Sequence, residues 1–360
     1  MMEDLLRQWD GECVVVRYDH QTDAWIFIAI HDRTLGTAMG GCRMRVYPTP
    51  EEGLKDALRL ARGMTYKWAA IDFPFGGGKS VLAVPRRLEG EEREGLLLRL
   101  GQLIEGLGGA YYGGVDLGTT PEDMNIIGRA TSRVFGRTLD HGGVGDPGPW
   151  TALGVYAGIR VAVRDILGRE DLDGVSILVQ GVGGVGAPLA RRLYDGGARV
   201  LVADADEERA RRVAEEVEGE VVAPDDVYDA ECDVYAPCAV GATLNVRTIP
   251  RLRCRIVAGS ANNQLETDDD AERLRERGIV YVPDFVINAG GAIAHGALEM
   301  LKWTREQVER RVLMIGDAVH EILEVAERQG VSPLVEAKQR AERVIAAVRK
   351  EREELAVAES

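Results

Sequence analysis

Two lysines, Lys67 and Lys79, bracket an apolar run that ends in three glycines: TYKWAAIDFPFGGGKSV, residues 65–81. Lysine is seldom buried, and adjacent glycines remove side chains so that a ligand can lie against bare backbone. The stretch is therefore either a solvated loop with two surface cations, or a pocket wall that turns two positive charges to one small molecule. A third group, Asp116, follows another glycine pair, Gly113-Gly114, and would add a carboxylate. Each residue alone reads as a surface cation or a turn aspartate. Together they make a pocket the stronger reading.

A second constellation favours that reading. Gly181-Val182-Gly183-Gly184-Val185-Gly186 follows the apolar run SILVQ and opens a helical pattern, and Asp204 closes the next apolar run, RVLVAD. Each part has a mechanical reason: Gly181 permits a tight turn, Gly183 lets backbone approach a pyrophosphate, and Gly186 lets helix and strand pack closely. The helix N-terminus offers free N–H groups to phosphates. Asp204 suits a ribose 2′-hydroxyl and would repel a 2′-phosphate, which points to NAD. Arg209 is expected on the exposed face of the following helix.

The elements that must hold these groups come in two rhythms. ECVVVRYD and AWIFIAIHD, separated by HQTD, predict an antiparallel strand pair. EEGLKDALRLARGMTYKWAA places Leu54, Ala57, Leu58, Ala61 and Met64 on one helical face, with Lys67 near the helix end. A strand is expected over SVLAVP, after Lys79. Residues 90–109 form an amphipathic helix, and Thr120-Pro121 starts another. HGGVGDPGPW (141–150) reads as a hinge, with a return near 325–335. From 174 on, apolar strands alternate with helices, the pattern of a parallel sheet covered on both faces. Two charged amphipathic helices are expected after 304. The fold class is α/β in two domains separated by a cleft. Residues 1–145, joined by a C-terminal helix at about 334–360, form a substrate and oligomerisation domain with a mixed sheet. Residues 146–333 form a Rossmann-type NAD domain.

Whole-chain properties narrow the function. The net charge of -15 over 360 residues argues against nucleic acid or an anionic membrane as partner. No long apolar span or secretory leader is apparent, so a cytoplasmic location is expected. The five cysteines include no Cys-x-x-Cys, so neither a disulfide framework nor a metal site is expected.

From about residue 30 to 330 the chain resembles the glutamate/leucine/phenylalanine/valine dehydrogenases, and especially the phenylalanine and leucine members. The resemblance is carried by TLGTAMGGCRM, GGGKSV, GGVDLGTTPEDM, VFGRTLDHGGVGDPGPWTALGVY, the glycine fingerprint, CDVYAPCAVGATLN, IVAGSANNQL and PDFVINAGGAI. It implies NAD-dependent, reversible oxidative deamination of an L-amino acid to a 2-oxo acid, and a homo-oligomer, dimer or octamer.

The resemblance also implies residue roles. Lys67 binds the substrate carboxylate, Lys79 is the catalytic lysine, and Asp116 exchanges protons with the substrate amine. Asn262 orients the substrate, with Gly40 and Gly41 beside it. Thr151 lies near the nicotinamide amide. Cys238-Ala239, Ser260-Ala261 and Asn288 line the dinucleotide. The side-chain wall, Met39, Gly114, Ala292 and His295, is apolar but for the histidine, which disfavours glutamate. Gly114 and Ala292 would leave room for a ring that Met39 partly reclaims. Phenylalanine and leucine both stay open. His295 and Trp150 keep a tryptophan or other specialised dehydrogenase as an alternative. A non-catalytic dinucleotide-binding regulator is a further alternative, although Lys67, Lys79 and Asp116 are all present.

Overall fold

The protein is described by a computed structural model covering residues 2–358, with side chains from Leu5 to Leu355. It divides into two compact units. One comprises residues up to Gly145, with 299–301 and the chain from Ala341 on; the other comprises 146–298 and 302–340.

The first unit is built on a five-stranded sheet: β1 (Cys13–Asp19), β2 (Ala24–Asp32), β3 (Ala38–Val46), β4 (Gly76–Val84) and β5 (Tyr111–Val115), in the order β1-β2-β4-β3-β5. β2 runs antiparallel to β1 and β4, and β3 runs parallel to β4 and β5, so the sheet is mixed. The two-residue period of a strand sorts its side chains between two cores. Ile26, Ile28, Cys42, Met44 and Leu82 join Leu96, Leu97 and Leu100 of the helix Gly90–Gly106. Phe27, Ala29, Val81 and Ala83 join Leu54, Ala57, Leu58 and Ala61 of the helix Pro50–Ala70. The same alternation assigns Gly41, Arg43, Gly77 and Lys79 to the Pro50–Ala70 side.

The second unit holds six parallel strands: β6 (Ser176–Gln180), β7 (Arg199–Ala203), β8 (Glu220–Val221), β9 (Val234–Pro237), β10 (Ile256–Val257) and β11 (Val280–Tyr281). Their order, β11-β10-β9-β6-β7-β8, is that of a doubly wound dinucleotide fold, reversing between β6 and β9.

The structure corrects two expectations and adds a strand. Gly76-Gly77-Gly78 and Lys79 lie inside β4, not ahead of the strand, and every residue of β4 is buried. Glycine is poor in strands, but here neighbours leave no space for a β-carbon: one on Gly77 would lie 2.0 Å from Thr65 Oγ1, and one on Gly78 would lie 2.7 Å from the Tyr111 ring. The chain after 304 forms three helices, Arg305–Leu313, Ile315–Gln329 and Pro333–Ala358: a turn at Met314 adds a break ahead of the expected one, where Gly330 is left-handed. The short strand β8 carries no apolar run to betray it, since both its residues are exposed.

Candidate active site

In the first unit, the register of the sheet delivers the chemistry. β3 pairs with β5 so that Cys42 faces Val115, which brings Arg43 beside Asp116 at the first position past the strand. Thr119 Oγ1 accepts a hydrogen bond from the Asp116 N–H at 3.0 Å and donates to the Cys42 carbonyl at 2.9 Å, pinning the turn to β3. Lys79 projects from β4 and places Nζ 3.1 Å from Asp116 Oδ2, with its side chain only 6% exposed. Gly41 makes this meeting possible: a β-carbon there would lie 2.6 Å from Asp116 Cβ and 3.1 Å from Lys79 Nζ. Gly40 is equally constrained, since its β-carbon would lie 1.8 Å from the Gly78 carbonyl oxygen.

A second cation, which the sequence reading did not single out, shares the carboxylate. Arg43 Nε donates to the same Asp116 Oδ2 at 2.9 Å, and Arg43 Nη1 donates to Asp56 Oδ2 at 2.9 Å. Asp56 also accepts from the Tyr47 hydroxyl and from Arg59 Nη2, each at 2.7 Å. Arg43 is thus bound at both ends by carboxylates and is not presented to a substrate side chain. Burial pushes the Lys79 ammonium below its usual range, and the Arg43 charge adds to that against the opposing pull of Asp116. Burial would raise Asp116, but the Lys79 and Arg43 charges outweigh it and hold the carboxyl below the ordinary range.

Lys67 lies half-buried in the last turn of the helix Pro50–Ala70. That turn packs on the strands bearing the site: Trp68 Nε1 donates to the Met39 carbonyl at 3.4 Å, and Thr65 occupies the space above Gly77. Met39 itself is fully buried. Gly114 requires a correction. The space that its missing side chain opens is filled by Phe135, whose Cε2 would lie 2.0 Å from a β-carbon. The glycine accommodates an internal ring, and sequence spacing gave no signal of that pairing.

In the second unit, the glycine loop leaves β6 and Cys238-Ala239 leave β9, the two strands flanking the reversal of strand order. Gly181 has φ +87° and packs on Ala239, and a β-carbon on Gly186 would lie 1.8 Å from the Gly181 carbonyl oxygen. A β-carbon on Gly183 would meet nothing within 4 Å, as it would on Gly184. Val185 precedes the helix Gly186–Asp195. Asp204 Oδ2 accepts from the Val182 N–H at 2.9 Å, which ties the acid to the loop. Arg209 does not simply project from its helix as expected: Nη2 donates to Asp206 at 2.8 Å and Nη1 lies 3.5 Å from Asp204.

The remaining predicted residues of this unit form two groups. Asn288 Nδ2 donates to Asn262 Oδ1 at 2.8 Å and to the Ser260 carbonyl at 3.1 Å. The buried Gln264 amide braces the Ala261 and Gly259 carbonyls. Thr151 Oγ1 donates to the Pro147 carbonyl, and Gly291 packs against it because a β-carbon there would lie 2.5 Å away. Half-buried Ala292 and buried His295 follow on the short helix Gly290–His295.

Against known proteins, residues 14–133 match the family model described as Glu/Leu/Phe/Val dehydrogenase, dimerisation domain, and residues 202–353 match Glutamate/Leucine/Phenylalanine/Valine dehydrogenase. The chain belongs to the glutamate/leucine/phenylalanine/valine dehydrogenase family. Leucine dehydrogenase of Thermoactinomyces intermedius is 44% identical, covering 97% of this chain and 94% of that one. Phenylalanine dehydrogenase of Bacillus thermotolerans is 38% identical, covering 96% and 92%. The crystal structure of L-tryptophan dehydrogenase from Nostoc punctiforme superposes with TM-score 0.86 at 38% identity, covering 97% of this chain and all of that one. The family is one of nicotinamide-dinucleotide-dependent dehydrogenases. No helix among the described residues is long and apolar enough to cross a membrane.

Proposed function

We propose that the protein catalyses the NAD-dependent, reversible oxidative deamination of a branched apolar L-amino acid: amino acid, water and NAD⁺ give the 2-oxo acid, ammonium, NADH and a proton. The observation that carries this reading is the buried Lys79–Asp116 pair at 3.1 Å in a chain of this family. Lys67 anchors the substrate carboxylate. Asp116 receives a proton from the substrate ammonium and passes it on, since a carboxyl held this low is a relay and not a resting place for the proton. Lys79, whose proton is loosened by burial, takes a proton from the water that attacks the substrate carbon. Asn262, held by Asn288, orients the substrate.

The second unit supports a dinucleotide in its own residues. The open space over Gly183 admits a pyrophosphate at the positive end of the helix Gly186–Asp195, and Asp204 suits an unphosphorylated ribose. Thr151, Cys238, Ala239, Ser260, Ala261 and Asn288 complete the binding surface. When bound, the nicotinamide supplies the hydride acceptor. Asp204 also neutralises Arg209 jointly with Asp206, which favours NAD over NADP. The chain self-associates, as the dimerisation-domain match supports.

Branched aliphatic substrates are favoured because Phe135 fills the space at Gly114 that a substrate ring would need. A panel of L-amino acids with NAD⁺ and NADP⁺, read by nicotinamide absorbance, tests the proposal. Turnover should be highest with leucine, valine or isoleucine and NAD⁺. Turnover only with glutamate, or only with NADP⁺, would contradict it, and a preference for tryptophan or phenylalanine would overturn the substrate class.

A further inference from the structure

We propose that Arg43 is a positioning residue of this reaction: it is the permanent counterion of Asp116, and by holding that carboxylate it lets Lys79 work as a neutral base. The inference rests on the reading of Lys79 and Asp116 given above.

Three observations carry it. Arg43 Nε and Lys79 Nζ meet one and the same oxygen, Asp116 Oδ2, at 2.9 and 3.1 Å. The two cations are therefore no farther apart than those two spans laid end to end. Both are sequestered, with side-chain exposures of 16% and 6%. Arg43 is also fixed from behind. Its Nη1 is held by Asp56, whose carboxylate is in turn fixed by Tyr47 and Arg59, so the guanidinium cannot follow a moving substrate.

This arrangement resolves a conflict in the chemistry. A lysine that serves as base must shed its proton, yet a lysine paired with a single buried aspartate holds its proton tightly. With Lys79 as the sole partner, deprotonation would leave Asp116 as an uncompensated buried charge, and Asp116 would take up a proton instead. Arginine keeps its charge at any working pH. With Arg43 in place Asp116 stays ionised whichever form Lys79 takes, and the nearby guanidinium disfavours the ammonium form of Lys79. The charged groups facing Lys79 are Asp116 after β5 and Arg43 on β3, while the titratable Cys42 lies on the other face of the sheet. Behind Arg43 stand Asp56 and Arg59 on the helix Pro50–Ala70, and Tyr47. Burial raises the Cys42 thiol to about 11, so it stays neutral through the working range.

The test compares kcat against pH for the parent, Arg43→Gln, Arg43→Met and Arg43→Lys, with L-leucine and NAD⁺. The substrate's own ionisation is common to all four, so differences report the protein. Removing the guanidinium should move the alkaline-rising limb of kcat upward by on the order of one pH unit. At a pH below the limb that is about a tenfold loss of kcat, with NAD affinity unchanged. Arg43→Met, neutral at every pH, should give the same shift and serves if the glutamine variant does not fold. Arg43→Lys restores the charge and should return the limb to within about a third of a unit of the parent. A limb that stays put in both charge-removing variants, or that moves as far in Arg43→Lys, would make Arg43 merely structural and overturn the inference alone. A parent without amino acid oxidation would instead overturn the assigned reaction.

Discussion

Gly41→Ala offers a sharp perturbation because its geometry can be worked out in advance. The new methyl would stand 2.6 Å from Asp116 Cβ, 3.0 Å from the Val115 carbonyl oxygen and 3.1 Å from Lys79 Nζ. Nonbonded carbons rest at about 3.5–4.0 Å, so Asp116 must retreat by about 1 Å. The Lys79–Asp116 contact, now 3.1 Å, would then open past hydrogen-bonding range. A displacement of that size in a reacting constellation costs about 100-fold in rate, and crowding a packed site costs about 1–3 kcal/mol of stability. Gly41 does not have a positive φ, so the effect is one of space and not of backbone strain. The control is Gly63→Ala on the helix Pro50–Ala70, where a β-carbon meets nothing within 4 Å; it should gain about 0.5–1 kcal/mol and keep its activity. The assay is steady-state kcat and KM with leucine and NAD⁺, beside thermal unfolding. A Gly41→Ala protein with kcat within about twofold of the parent would refute the claim that this glycine exists to let Lys79 and Asp116 meet.

Gly183→Ala, which meets no atom within 4 Å, should leave the melting temperature unchanged yet weaken NAD binding about tenfold or more by calorimetry, because only a bound pyrophosphate would occupy that space; unchanged affinity would contradict the loop's assignment. Asp204→Ser should raise activity with NADP⁺ relative to NAD⁺, since it removes the carboxylate that neutralises Arg209 and faces the ribose; an unaltered preference in initial rates would contradict that role. Asp19, 3% exposed, would be raised by burial, but its bonds from Arg99 and Thr22 hold it below its usual value. That pair therefore adds stability above the unfolded carboxyl range near pH 4, and the addition fades as pH falls through the lower folded value. Arg99→Gln should cost about 3 kcal/mol in urea unfolding at pH 7 and much less near pH 3. An equal cost at both pH values would contradict the ion pair's part.

Where local chemistry decides structure, the chain was legible. The β1–β2 pair follows from two β-rich apolar runs on either side of a polar turn, and Thr120 caps its helix in a reciprocal box with Asp123, as Thr-Pro-Glu-Asp spacing suggests. The glycine loop between β6 and its helix follows from the same kind of signal. What escaped depended on tertiary neighbours. The three glycines of β4 carry no strand propensity; they are extended because Thr65, Tyr111 and the Asp32 and Gly36 carbonyls crowd the places where side chains would stand. Arg43, in GGCRM, carries no local signal in the sequence; sheet register alone sets it beside Asp116. Phe135 lies beyond an intervening helix from Gly114, and only the folded chain brings its ring over that glycine.

In this reading Lys79 and Asp116 serve direct oxidation at the carbon bearing the substrate amine. The measurement that bears on it most directly follows the label from L-leucine deuterated at that carbon, incubated with NAD⁺ and read by magnetic resonance. Deuterium should appear at carbon 4 of the reduced nicotinamide, with equimolar 2-oxo acid and ammonium, and Lys79→Ala should give neither product despite undiminished NAD binding. Deuterium lost to solvent, or Lys79→Ala turning over at the parent's rate, would contradict it.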